Sequence, residues 1–94
     1  MAAFEFKIHR PGSGVTEYRT DDGKWRLVRE GDYTEGVLWA LERFDGVQPY
    51  PWHYAAHTWE FQTFTYAWRY LATARREAPR IVAEILADEA GKVN

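Results

Sequence analysis

The chain contains no cysteine and a single serine, Ser13. The first absence excludes a disulfide framework and any thiolate metal site, so a 94-residue chain must be held by packing or by association with another chain. The second leaves Thr, Lys or a carboxylate as the nucleophile of any covalent mechanism, because Ser13 lies in PGSG, which reads as a turn. The Gly-Ser-Gly within it lacks the Lys-Ser/Thr of a phosphate loop and precedes a strand pattern, so no nucleotide site is expected there.

An excess of one charge is missing too. Twelve Lys plus Arg stand against 14 Asp plus Glu, a net charge of -2, and both signs are spread along the chain. No strong field for nucleic acid or an anionic membrane follows. No segment approaches the roughly 18 to 20 apolar residues of a membrane span. MAAFEFKIHR carries no apolar run of the length a secretory signal needs, so the expected compartment is the cytoplasm, without membrane attachment. Internal repeats and low-complexity stretches are absent.

What the chain has in abundance is aromatic rings: five Trp, six Tyr and five Phe. Each can bury on the order of 150 to 250 Å², which compensates for the small core that so short a chain can build.

Phe4, Phe6 and Ile8 alternate with Glu5, Lys7 and His9, the period-2 pattern of a half-buried strand. VTEYRT and KWRLVRE flank Asp21-Asp22-Gly23, a hairpin signal in which Tyr18 faces Leu27 and Arg19 shares a face with Arg26. A two- or three-stranded antiparallel sheet over 3–30 is therefore predicted. Beyond it the spacing predicts three helices. The first, over about 33–45, has Asp32 or Thr34 as cap, Val37, Leu41 and Phe44 as its stripe, and Asp45-Gly46 as its end. The second, over 52–77, starts after Pro51, and Pro79 separates it from a third over 79–90. The expected class is α+β, one domain over 1–94, a sheet followed by three helices.

Taken as a helix, 52–77 is apolar over most of its circumference: Tyr54, His57, Phe61, Phe64, Trp68 and Leu71 form one arc. Trp52, Trp59, Thr63, Tyr66 and Tyr70 form nearly the opposite one. One arc covers the sheet and the other needs a further partner. Trp39, Trp52, Trp59, Tyr66 and Tyr70 are thus the candidate interface, because Trp and Tyr dominate binding hot spots.

Two other constellations compete. On a helix, His53, His57 and Glu60 would share one face and could place two imidazoles and a carboxylate on a metal ion. The metalloprotease pattern, however, needs Glu directly after the first His, where this chain has Tyr54, and His57 in an aromatic stripe is the position of a packed imidazole. Arg19, Lys24, Arg26 and Arg29 could present a basic ribbon to DNA, but Glu17, Asp21, Asp22 and Glu30 nearly cancel their charge. No catalytic residue is assigned and no cofactor is expected. The functional expectation is a non-catalytic interaction module, homodimeric and cytoplasmic, that binds or inhibits a larger protein, in the manner of small bacterial or phage accessory proteins. A DNA-binding regulator and a metal-dependent site are the alternatives.

Overall fold

The computed structural model describes residues 4–10, 16–32 and 36–91. Strands β1 (Lys7–His9), β2 (Glu17–Arg19) and β3 (Trp25–Asp32) form an antiparallel meander with Tyr18 opposite Leu27 and Arg19 opposite Arg26. At the turn between β2 and β3 the Gly23 N–H donates to the Thr20 carbonyl at 3.0 Å, and Gly23 has φ of +71°, the conformation for which glycine is suited. The expected turn at 11–14, the Thr34 cap and the strand start at residue 3 lie outside the described residues.

From here the structure departs from the expected three helices. Strand β4 (Gly36–Phe44) occupies the place of the helix over 33–45 and pairs with β3 along its whole length. It is a central strand: Leu41 is buried on one face, Ala40 and Glu42 on the other. A strand covered on both faces loses its period-2 alternation, and its apolar run then fits a helical stripe as well as a strand.

The long helix over 52–77 is absent. Its place is taken by β5 (Trp52–Tyr54), β6 (Ala56–Trp59), β7 (Gln62–Thr65), β8 (Ala67–Trp68) and the first residues of helix α1 (Leu71–Gly91). Aromatic and β-branched residues favour an extended backbone, and they fill this stretch. A helical wheel separates faces poorly when most residues are rings or threonines.

Both β5 and β8 pair antiparallel with β4, at residues 42–44 and 39–40 respectively, so together they make one interrupted edge strand. Between them β6 and β7 leave the sheet as a separate two-stranded arm. The order across the main sheet is β1-β2-β3-β4-β5.

Helix α1 covers one sheet face. Ala74, Ala78, Ile81 and Val82 pack onto Phe6, Trp25, Leu27, Leu41 and Ala55. The two alanines, fully buried, let the helix lie close to β4 and β8. The separate helices expected before and after Pro79 are one continuous helix. Pro79 removes the hydrogen bond to the carbonyl of Arg75, but buried residues on both sides of it hold the backbone against the sheet.

Pro79→Ala is expected to restore that hydrogen bond and raise unfolding stability by about 1 to 3 kcal/mol in urea titration. A decrease would mean that packing of the proline ring outweighs the lost bond.

Candidate interaction surface

The arm is built by a backbone junction at Leu41. The Leu41 N–H donates to the Tyr66 carbonyl at 2.9 Å, the Ala55 N–H to the Leu41 carbonyl at 2.9 Å, and the Tyr66 N–H to the Ala55 carbonyl at 3.0 Å. These three bonds close a triangle in which the edge strand splits, sending Ala55 and Tyr66 outward as the two roots of the arm. Beyond them His57 pairs with Phe64, Thr58 with Thr63 and Trp59 with Gln62.

Because side chains alternate along a strand, the arm has two unlike faces. Ala56, Thr58, Thr63 and Thr65 form a threonine face. His57, Trp59, Gln62 and Phe64 form a ring face, continued at the root by Tyr66. The His57 ring lies 5.5 Å from Phe64 at an interplanar angle of 25°, and 5.0 Å from Tyr66. Solvent reaches 67% of Trp59, 42% of Phe64 and all of Phe61 at the tip.

The tip itself is strained. Glu60 and Phe61 form a two-residue loop with φ of +47° and +69°, the left-handed region of a type I′ turn. Asn-Gly or Asp-Gly is the usual occupant, and a glutamate followed by a phenylalanine costs on the order of 1 to 2 kcal/mol per residue. Strained residues that are also fully exposed cannot be explained by packing.

The five residues of the expected interface are dispersed. Trp59 stands on the arm and Tyr70 is 66% exposed beside the helix start. Trp39 and Tyr66 are partly buried against the core, and Trp39 meets Tyr18 edge-on at 5.6 Å. Trp52 lies over the sheet face away from the helix, with the Arg26 guanidinium 4.3 Å and that of Arg19 5.1 Å from its ring centre. Phe61 and Phe64, which a helical reading assigned to a buried arc, are exposed instead.

That second sheet face is an ionic layer. Arg26 donates to Glu17 at 2.7 Å and to Glu42 at 2.6 Å, and Arg19 Nε sits 2.5 Å from Glu17 Oε1. Glu17 and Glu42 are buried although no helix covers them. Burial raises the carboxyl of Glu42, and the Arg26 contacts oppose that rise. Of the four cations considered for DNA, Arg19 and Arg26 are thus held together by carboxylates under Trp52. Lys24 sits exposed at the turn, and Arg29, also exposed, belongs to the opposite side of β3 from Arg26.

The three candidate metal ligands are also separated. His53 Nε2 is 2.6 Å from Asp45 Oδ2, His57 stacks within the arm, and Glu60 is at its tip. Among the described residues no group of three or more His, Cys, Asp or Glu side chains is placed to hold a metal ion. No helix among them is long and apolar enough to cross a membrane.

Two clefts flank the root of the arm. One of about 590 Å³ lies between Trp25, Phe44, His53 and Ile85 and is bordered by the Arg43–Glu89 ion pair that ties β4 to α1. The other, of about 610 Å³, lies between His57 and Tyr66 on one side and Glu84, Ile85 and Asp88 on the other. Compared with family models, curated proteins and solved structures, the chain matches none, so its function rests on its own geometry.

Two predictions follow from local geometry. The double change Glu60→Asn, Phe61→Gly gives the loop its preferred residues and is expected to slow hydrogen exchange of the arm amides about tenfold. Separately, the Tyr54 hydroxyl donates to Glu30, and that bond, with burial and the Glu30 charge adding to it, pushes the phenol up to about 12. A phenol raised on folding adds stability that is fully present below the unfolded value near 10 and is lost as pH rises through 12. Absorbance titration should therefore show one late tyrosine step in the wild type, moved down in Glu30→Gln.

Proposed function

We propose that this chain is a non-catalytic protein-interaction module that engages a protein partner through the arm formed by β6 and β7. The observation that carries the reading is the ring face: Trp59, Phe61 and Phe64 stand in solvent on a projecting hairpin whose only formal charge is Glu60. Large rings in water on a rigid support have the composition of a binding hot spot. An arm with no cation lacks the charge that dominates binding to a phosphate backbone. The cytoplasm remains the proposed setting, in keeping with a chain without cysteine.

Inhibition of a larger protein fits the same surface, since a narrow two-stranded arm can enter a cleft that a flat face cannot. The test is a benzophenone side chain placed at position 61 in the cell and, as control, at position 50, where Tyr50 is exposed off the arm. Irradiation is expected to join position 61 to protein, with the adduct reduced several-fold by Trp59→Ser. Equal adducts at both positions, or none at 61, would sink the reading.

A further inference from the structure

We infer that the partner of the arm is a second copy of this chain, with the two arms exchanged about a two-fold axis. The inference rests on the interaction reading above and names its occupant. Charge, area and shape together support it.

The ring face presents His57, Trp59, Gln62 and Phe64 with no carboxylate, lysine or arginine among them. The face itself, being without charge, does not select an oppositely charged partner and meets no like-charge penalty against itself. A two-fold contact requires that kind of self-compatibility. The exchange does bring Glu60 at each tip beside Glu84 and Asp88 of the other copy, a repulsion that ring burial must exceed.

Area points the same way. At the exposures of Trp59, Phe61 and Phe64, and with about 150 to 250 Å² available per ring, one arm offers about 320 to 530 Å². Trp59 and Phe64 meet the facing arm's own rings, while Phe61 covers a similar area of the cleft that receives it. Two exchanged arms then bury on the order of 1,200 Å², the lower bound of a stable interface, whereas one arm laid on a partner buries about two thirds of that.

Shape supplies the receiving site. The cleft of about 610 Å³ opens beside His57 and Tyr66, at the root of the same ring face, with Ile85 set among Glu84, Asp88 and Glu89 on its helical wall. When two arms lie ring face to ring face and antiparallel, the tip of each falls at the root of the other. Phe61 then enters the second copy's cleft, which has ample room for one phenyl ring. The left-handed loop at Glu60 and Phe61 holds that ring outward for the purpose.

The test is native mass and sedimentation of the full chain across concentration, with circular dichroism to confirm that each variant folds. The expected result is a dimer whose dissociation constant rises about tenfold or more in Trp59→Ser and in Phe61→Ser. Thr63→Ser, on the other face, is expected to leave it unchanged. A dimer indifferent to both ring variants, or a monomer throughout, overturns the inference. In the monomeric case the benzophenone at position 61 separates the two readings. An adduct with a different protein defeats the second copy and leaves the interaction module standing, whereas no adduct at all defeats both.

Discussion

The three backbone bonds around Leu41 govern the rest of the molecule. A central strand normally gives its outward-facing N–H and C=O groups to one neighbour. Here the Leu41 pair is divided between Tyr66 and Ala55, and those two residues bond each other. Every polar backbone group at the split is satisfied, so the edge strand can open without the penalty of a buried orphan donor or acceptor. Leu41 is fully buried under α1, and the helix therefore holds the junction from one side while β3 holds it from the other. An arm rooted in this way has both of its strands tied through backbone bonds to the central strand, which a hairpin hung on a loop would not have.

The two faces of the sheet are closed by different physics. On the helix side, apolar burial dominates through Trp25, Phe6, Leu27 and Val82. On the other side Arg26 bridges Glu17 and Glu42, and Trp52 covers the guanidinium. Such a layer adds little net stability, because desolvation offsets most of the attraction, but removing one partner leaves a buried charge and costs about 3 to 5 kcal/mol. Its effect is to fix register. Arg26 can reach both carboxylates only when β2, β3 and β4 are aligned as found, and a one-residue slip of any one of these strands would turn its charged side chain onto the helix-covered face. Arg19 and Arg26, engaged in this way, are largely withdrawn from solvent, so half of the hairpin's four cations serve its own fold.

How legible this was in the sequence depended on the turn signals. The β2–β3 pairing could be read because Asp22-Gly23 announces it, and the structure puts Tyr18 against Leu27 as that turn requires. The C-terminal helix could be read from Val82, Ile85 and Leu86, but Pro79 was given too much weight: a proline costs about 3 kcal/mol in a helix, and burial on both sides of it can outweigh that. The arm was invisible for a definite reason. Its turn is Glu60-Phe61, neither of which favours positive φ, so nothing marked a reversal between two aromatic runs. Without that mark the rings fell on a helical wheel, and His53, His57 and Glu60 were brought onto one face that does not exist. One signal was present and could have been weighed: Thr58, Thr63 and Thr65 disfavour a helix, and they fall on one side of a hairpin closed at 60–61.

The same missing turn signal bears on what the arm is for. A chain of 94 residues can spare little for structure outside its core, yet the segment from Ala56 to Thr65 contributes none of the residues that pack beneath α1. Asn-Gly at the tip would have made that segment more stable and less sticky. The chain instead holds Phe61 in a left-handed conformation, fully in water, next to an exposed Trp59. Each feature alone is a modest cost, but all three are tolerated on one hairpin whose root is among the best-bonded places in the backbone. On the proposed reading, stability withheld at the tip and concentrated at the root suits a contact surface, since the free energy missing from the isolated arm would be recovered on covering its rings.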